Sequence, residues 1–237
     1  MIIGAGGDTA AHIATERDGL PILIVTGLKQ EARIAAGPGL TVICSSSNPV
    51  QLREMMTSFD PATIRGIVSF GVAGGLNPTL KSGDIVIASR IVTATRNWAT
   101  EPSLTENLVS LPATRRRRAV VSGVLAGVEE VVTGQVGKAA LRATTGADAV
   151  DMESHIAARY AEFNGLPFAA VRVISDPAHR ALPELTMNAI KPNGNVDMWK
   201  VMRGIARSPK TIPHLISTGR DFNRALRSLR GCRGALG

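Results

Sequence analysis

Residues 150–176, VDMESHIAARYAEFNGLPFAAVRVISD, predict one helix followed by one buried strand. The helical pattern should end at Asn164-Gly165, because Asn and Gly tolerate the positive φ that often ends a helix. Pro167 then prevents its continuation. The following segment, 168–174, is short, apolar and rich in β-branched residues, as expected for a strand buried on both faces. A helix next to a buried strand is typical of an α/β sheet.

Two acidic side chains flank this helix-strand unit. Glu153 opens the helix, and Asp176 follows the carboxyl end of the strand, where open α/β sheets place their ligands. The unit can therefore aim two carboxylates into one crevice. Their positions leave a second interpretation open. Glu153 would also favour a helix N-terminus, and Asp176 would also cap a loop.

The composition is that of a folded protein with a largely aliphatic core. Of the 237 residues, 44% are hydrophobic but only 3% are aromatic, so Val, Ile, Leu, Ala and Met must build the core. The apolar runs are shorter than the about 18 residues of a membrane-spanning helix, and the N-terminus lacks the pattern of a secretory signal. Only Cys44 and Cys232 are present, without ligand-like spacing. We expect a reduced, cytoplasmic protein without structural zinc.

The net charge of +8 is concentrated at the C-terminal end. Residues 200–237 hold nine Lys or Arg and one acid, whereas the rest of the chain holds 18 of each sign. Phe222, Leu226 and Leu229 recur at helical spacing, which predicts a basic amphipathic helix. Such a helix either packs its apolar stripe on its own domain or contacts an anionic membrane through residues 219–233. Nucleic-acid binding is disfavoured, because the basic tail lacks an aromatic stacking platform.

Predicted strands alternate with helices along the chain, without a repeat or an interdomain linker. We expect residues 1–20 to form a loose leader and residues 21–237 to form a single domain that closes with two basic helices. The predicted strands lie at 21–26, 41–44, 65–70, 85–89, 119–125 and 168–174.

A glycine-rich segment, Gly71-Val-Ala-Gly-Gly75, follows the predicted strand at 65–70 and could place backbone N–H groups around an anion or a sugar. It is not a Walker loop, because no Gly-Lys-Ser/Thr follows, and it lacks the dinucleotide-binding pattern. Alone it is weak evidence, because glycine also serves where the chain must pack closely.

Four motifs that include this segment occur in a fixed order: Gly71 to Leu76, Gly83-Asp84-Ile-Val, Val150-Asp-Met-Glu153 and Val173-Ile-Ser-Asp176. Together they resemble the nucleoside phosphorylase and nucleosidase superfamily, which includes methylthioadenosine/S-adenosylhomocysteine nucleosidase. The resemblance covers about residues 21–180.

Three further segments are similar to one branch of that superfamily, the hopanoid-associated phosphorylases. These segments are residues 26–40, residues 148–182 and the tail, with Val196-Asp-Met-Trp-Lys and Gly219-Arg-Asp-Phe. Proteins of the branch are assigned to the removal of adenine from adenosylhopane during bacterial hopanoid synthesis.

The resemblance implies a three-layer α/β fold with a mixed, partly barrel-like central sheet. It implies no metal or organic cofactor, and self-association into a homo-oligomer. Asp176 would donate a proton to N7 of the departing purine, with Ser175 orienting it. Glu153 would bind the ribose hydroxyls and Met152 would pack on the sugar. Substrate contacts would also come from Gly71, Val72, Ala73 and Gly74, whereas His155 and His179 match no role in the superfamily.

The group that attacks the sugar is predicted from a departure from the phosphorylase pattern. Phosphorylases of the superfamily bind phosphate through two arginines. One lies four residues after the glycine of the first loop, which is Gly27 here. The other lies two residues before the first glycine of the later glycine-rich segment, which is Gly71 here. Here these positions hold Glu31 and Ser69. Glu31 would repel phosphate but could activate water. Lys29 and Arg33 flank Glu31 and could rebuild an anion site, so phosphate stays open as a co-substrate.

The sequence therefore predicts hydrolysis of the N-glycosidic bond of a purine nucleoside, with adenosylhopane as the expected substrate. Alternatives are phosphorolysis of the same bond and a methylthioadenosine/S-adenosylhomocysteine nucleosidase. A non-enzymatic alternative is a nucleoside-binding, membrane-associated protein. For the enzyme we expect a cytoplasmic location, with peripheral contact at the inner membrane face as a further possibility. A lipid-linked nucleoside would need an apolar opening, for which Trp98, Met198, Trp199 and Met202 are candidates.

Overall fold

The computed structural model describes residues 19–106, 119–181 and 212–236, together with Arg17. Within these ranges the strands are β1 (Ile22–Thr26), β2 (Leu40–Cys44), β3 (Gly66–Gly75), β4 (Ile85–Val92), β5 (Asn97–Ala99), β6 (Val120–Gly127), β7 (Ala149–Asp151) and β8 (Phe168–Asp176). The α-helices are α1 (Lys29–Ala35), α2 (Pro49–Thr57), α3 (Gln135–Thr145), α4 (Ser154–Phe163) and α5 (Ile212–Cys232). Most of the predicted leader, the first C-terminal helix, Met198, Trp199 and Met202 lie outside the described residues.

Five strands close a ring in the middle of the sheet. β3 pairs with β8 in parallel and with β7 antiparallel. β4 pairs with β8 antiparallel and with β6 in parallel, and β6 pairs with β7 to complete the ring. β1 and β2 extend the sheet from β3, and β5 is added to β4. The predicted mixed, partly barrel-like sheet flanked by helices is confirmed.

Helices cover both faces of this sheet. On one face, α2 and α4 contribute Leu52 and Ile156 to a core that they share with the strands. On the other face, α1 and α5 contribute Ile34, Leu226 and Leu229 to a second core. All five residues of β1 are buried, as the run of apolar residues predicts for a strand covered on both sides.

The glycine-rich segment is part of a strand rather than a turn. The prediction that β3 ends at Phe70 is wrong, because the strand continues to Gly75. Gly71 pairs with Arg172 of β8, and a register shift follows Ala73. Beyond that shift the strand also pairs with β7, which bends it into the ring. The glycines therefore allow close packing in a curved strand.

The unit at 150–176 folds as predicted, with two changes at its ends. Helix α4 ends at Phe163, and Gly165 has the expected positive φ of 61°. β8 is two residues longer than predicted, so Asp176 is the last residue of the strand. The three-residue strand β7 was not predicted, because it is too short to show a pattern of its own.

The C-terminal helix α5 packs its apolar stripe on its own domain. Leu226 and Leu229 are buried in the second core, and Phe222 is half-buried against it. Arg227 and Arg230 are exposed. The apolar stripe therefore packs as in the first of the two interpretations, and membrane contact through the basic face stays a prediction. In the described ranges we find no helix long and apolar enough to cross a bilayer.

Candidate active site

A cleft opens where the carboxyl ends of β3 and β8 face the N-terminal ends of α1 and α4. Both polar and apolar side chains line it, in two sets. The polar group is Glu31, Ser47, Asp151, Glu153, Ser175 and Asp176, and the apolar group includes Val72, Val128, Val131, Val132, Val150 and Met152. This is the edge at which parallel sheets bind ligands.

Eight of the nine predicted site residues line this cleft: Glu31, Val72, Ala73, Gly74, Met152, Glu153, Ser175 and Asp176. Gly71 is the exception. A side chain at Gly71 would collide with Arg172 and Glu31, since its Cβ would lie 2.5 Å from Arg172 Nη1 and 2.7 Å from Glu31 Oε1. Gly71 therefore lets β3 pass close to the two charged groups.

Glu31 is held in place by backbone N–H groups of the loop before α1 and of strand β3. It occupies the third position of α1, where its Oε2 accepts hydrogen bonds from the N–H groups of Gly27 at 2.9 Å and Leu28 at 2.8 Å. Its Oε1 accepts a third from Val72 at 2.8 Å, across to β3. Burial raises the pKa of Glu31, while Arg172 and these three donors oppose the shift.

A fully buried arginine, Arg172, lies under the cleft on β8. Its Nε donates to Asp151 Oδ2 at 3.0 Å. Its Nη2 contacts the Ser69 hydroxyl at 2.7 Å, the Ser154 hydroxyl at 3.2 Å and Glu153 Oε2 at 3.4 Å. Its Nη1 has no hydrogen-bond partner although it is buried. A buried donor without a partner is costly, so a partner at Nη1 would be stabilising, although Arg172 lies beneath the cleft and is not among the residues that line it.

Three carboxylates share this one guanidinium, and they cannot all be charged at low cost. Burial raises the pKa of Glu153 to about 7; Arg172 opposes the shift, and the neighbouring Asp151 and Glu31 add to it. Despite its burial, Asp151 has a lowered pKa, because Arg172 and Ser154 stabilise its charge. Glu153 is therefore the member of the group that exchanges a proton near neutral pH.

Asp176 sits at the opposite side of the cleft, with both oxygens engaged. Ser175 Oγ lies 2.6 Å from Asp176 Oδ1 and also 3.2 Å from the carbonyl oxygen of Ala73. The ammonium of Lys138, on α3, donates to Asp176 Oδ2 at 2.6 Å. Burial raises the pKa of Asp176, while Lys138 and Ser175 oppose the shift. A buried carboxyl of this kind can carry a proton to a leaving group.

Several residues weighed from the sequence lie away from the cleft lining. His155 Nε2 is 3.0 Å from Glu129 Oε1, and His179 accepts a bond through its carbonyl oxygen from Gln135. Trp98 donates its indole N–H to Glu162 at 2.8 Å. The predicted anion site from Lys29 and Arg33 gains no support, because neither residue is among those that line the cleft.

Arg172, Asp151 and Lys138 are site residues that the sequence analysis did not identify. Arg172 gave a signal, because an arginine inside the apolar run 168–174 must be buried with a counter-charge if the strand is buried. Lys138 gave none, since a lysine in the first turns of a helix is ordinary. Only the fold brings it to Asp176.

The cleft therefore has a buried carboxyl with a raised pKa, Asp176, on one side and a cluster of carboxylates around the Arg172 guanidinium on the other. Among the described residues we find no cluster of His, Cys, Asp and Glu with the geometry to hold a metal ion. The polar chemistry of the described cleft rests on carboxylates, hydroxyls, one ammonium and one guanidinium.

A family model described as the phosphorylase superfamily matches residues 42–197. No curated protein sequence matches the chain significantly.

Solved structures share the fold at low sequence identity. The 5′-methylthioadenosine/S-adenosylhomocysteine nucleosidase of Helicobacter pylori is 19% identical with a TM-score of 0.65, over 92% of this chain and 96% of that one. The futalosine hydrolase of Helicobacter pylori is 21% identical with a TM-score of 0.58, over 66% and 88%. The S-adenosylhomocysteine nucleosidase of Streptococcus pyogenes is 18% identical with a TM-score of 0.60, over 68% and 86%.

The Glu153→Gln variant should show a weaker dependence of stability on pH than the wild type. Because the pKa of Glu153 is raised from 4.5 to about 7, the folded protein binds this proton more tightly than the unfolded chain. Its stabilising contribution is complete below pH 4.5 and is lost as the pH rises through about 7. Glutamine stays neutral. Between about pH 5 and 8 the wild type should therefore lose about 1–3 kcal/mol more of its free energy of unfolding than the variant does.

Urea denaturation at a series of pH values from about 5 to 8 measures this difference. Glu54→Gln, at an exposed position on α2, is the matched control and should keep the wild-type slope. Parallel slopes for Glu153→Gln and the wild type would contradict the raised pKa.

Proposed function

The chain belongs to the phosphorylase superfamily, and from this premise we propose that it hydrolyses the N-glycosidic bond of a purine nucleoside and releases adenine. The observation that carries the proposal is that one cleft collects Asp176, Glu153 and Glu31, with Arg172 beneath them. The names of the structural neighbours, two nucleosidases and a futalosine hydrolase, agree with it.

Asp176 is the proposed general acid. Adenine leaves poorly as an anion, so the bond breaks readily only if a nitrogen of the base gains a proton as it departs. The buried Asp176 carboxyl has a raised pKa and therefore holds a proton more readily than an exposed aspartate. Ser175 can reverse its hydrogen bond, because its hydroxyl can donate to the carbonyl oxygen of Ala73 instead of to Asp176. The site thus accommodates both protonation states of the acid.

Glu153 is the proposed ribose ligand. Its carboxylate lies over Gly27, where a Cβ would be only 2.5 Å from Oε1, so this glycine makes room for it. A carboxylate beside the ribose accepts hydrogen bonds from the two hydroxyls and stabilises the positive charge that develops on the sugar. Met152, next to it in the lining, provides apolar contact for the ring.

Water is the proposed nucleophile, held between Glu31 and Arg172. Three backbone donors fix the Glu31 carboxylate, and Oε1, with a single donor, keeps an acceptor site for a water molecule. The unpartnered Nη1 of Arg172 supplies a donor beside it. Phosphate would meet three carboxylates around one guanidinium, an arrangement that repels a dianion.

Phosphorolysis of the same bond is the second candidate, and the free Nη1 of Arg172 is the observation that favours it. Lys138 does not add a phosphate site, because its ammonium is saturated by Asp176 and three carbonyl groups. The two candidates differ in the sugar that they produce, which is free in hydrolysis and a 1-phosphate in phosphorolysis. No organic cofactor or metal enters either scheme.

Adenosylhopane is the proposed substrate, on the ground of the resemblance to the hopanoid-associated branch. Val128, Val131 and Val132 give the cleft an apolar side, and Val131 is 37% exposed, as an entrance for a lipid group requires. Methylthioadenosine or S-adenosylhomocysteine is the alternative substrate.

We also propose that the protein forms a homo-oligomer. Residues 219–233 are proposed to contact an anionic membrane peripherally, and the exposed Arg227 and Arg230 provide charge for this contact.

Substitution Asp176→Asn should separate an enzyme from a nucleoside-binding protein. The amide cannot supply the proton, so kcat should fall by about 10²–10⁴-fold while the Kd of a nucleoside stays close to that of the wild type. Adenine release and equilibrium binding measure the two quantities. A wild-type protein that binds nucleoside normally but releases no adenine would support the non-enzymatic alternative.

A series of adenine nucleosides that differ only in the length of an apolar 5′ group tests the lipid substrate. If the 5′ group lies against the valine side of the cleft, kcat/KM should rise by up to about fourfold per buried methylene. Steady-state kinetics on methylthio, homocysteine and long alkyl derivatives gives the order of preference. A maximum at the methylthio or homocysteine group would favour the alternative substrates.

A further inference from the structure

Lys138 is a fully buried lysine that has no role in the reaction steps proposed above. Besides Asp176 Oδ2, its ammonium contacts the carbonyl oxygens of Asp176 at 3.1 Å, Pro177 at 3.2 Å and Arg180 at 3.1 Å. These four acceptors share three N–H donors, so the nitrogen is held as a fixed cation. A buried charge is tolerated only when it is paired and hydrogen-bonded in this way.

We infer that Lys138 is a positioning residue for the general acid: it fixes the orientation of Asp176 and neutralises the carboxylate left when the proton has moved to the base. The inference rests on the proposed function, because it gives Asp176 the role of acid. It goes beyond that function by assigning a residue on α3 to the acid's orientation and strength.

The two oxygens of Asp176 have different partners, which determines where the proton resides. Oδ2 faces the Lys138 ammonium at 2.6 Å, and protonation there would place a proton against a cation. Oδ1 faces the Ser175 hydroxyl, which has the carbonyl of Ala73 as an alternative acceptor. The proton therefore resides on Oδ1, and Ser175 turns to Ala73 when it is present.

The step balances with water as the second reactant: the oxygen of the water proposed beside Glu31 bonds to the sugar carbon that the base leaves, and one proton of that water passes to Glu31. The bond from the sugar to the base nitrogen breaks, and its electron pair stays with the base. The proton on Asp176 Oδ1 moves to a base nitrogen, so the base leaves neutral. The negative charge then rests on the Asp176 carboxylate, 2.6 Å from the Lys138 ammonium. In a buried site, such a counter-charge makes the acid stronger than burial alone would allow.

The other charged groups near this pair are already engaged. Arg180, on the turn after β8, pairs with Asp221 of α5 at 3.2 Å. On the far side of the cleft, Asp151 and Glu153 pair with Arg172 of β8. Facing Asp176, β3 presents Gly74 and the carbonyl of Ala73 rather than a charge. Lys138 is thus the charged side chain in contact with the acid among the described residues.

Three substitutions at Lys138 separate its charge from its hydrogen bonds. Lys138→Arg keeps both, Lys138→Gln keeps donors but loses the charge, and Lys138→Met loses both. The experiment measures kcat for adenine release as a function of pH, together with the pH titration of the Asp176 carboxyl by NMR of ¹³C-labelled aspartate. Asp176→Asn identifies the resonance, and Arg142→Gln, which removes a charge one turn further along α3, is the matched control.

If Lys138 acts through its charge, the Gln and Met variants should both titrate Asp176 at higher pH than the wild type. The basic limb of their kcat profile should move in the same direction. Their kcat on the acidic plateau should fall by about tenfold or more, as part of the 10²–10⁴-fold that a positioned acid contributes. Lys138→Arg should keep the basic limb of the kcat profile at the wild-type pH. Arg142→Gln should be indistinguishable from the wild type.

Two results would overturn the inference. One is that Asp176 titrates in Lys138→Gln as it does in the wild type, while only Lys138→Met loses activity. The lysine would then serve only to hold the turn. The other is a shifted limb in Arg142→Gln. Failure of the proposed function looks different, since the wild type would release no adenine while the NMR titration still reports on Lys138.

Discussion

A guanidinium buried among three carboxylates is the interaction on which the rest of the site depends. Arg172 lies on β8, one of the five strands of the ring, where it contacts Asp151 at the end of β7 and Glu153 at the start of α4. Each carboxylate is buried at a cost that the arginine offsets, so removal of the cation would leave uncompensated charge in the core. The short strand β7 is held to the ring by this charge as well as by its few backbone bonds.

The excess of negative charge around that cation determines the chemistry that the cleft supports. With more carboxylates than cations, the group keeps a proton near neutral pH and repels anions, and this is the physical basis for proposing water rather than phosphate as the nucleophile. On the opposite side, Asp176 has a cation of its own in Lys138. Under the proposed function, the cleft has a negative region for the sugar and a neutralised acid for the base. This separation suits a bond that breaks with positive charge on one side and negative charge on the other.

The sequence was informative where a pattern is local and uninformative where the fold joins distant segments. The run at 150–176 predicted α4, β8 and the two carboxylates, because helix periodicity, a helix stop and a buried strand are local features. The same logic failed at β7, which is too short for a pattern, and at Gly71, which was placed after the end of β3 although the strand continues to Gly75. The pair of Lys138 and Asp176 spans 38 positions in sequence, and no local signal foretells it.

The most direct test of the central claim is the identity of the sugar that the wild-type protein forms from a purine nucleoside in the presence of phosphate. If the negative region of the cleft selects water, mass spectrometry should find free sugar, and adenine should be released at the same rate with and without phosphate. A sugar 1-phosphate as the product, with strict dependence of adenine release on phosphate, would contradict the account.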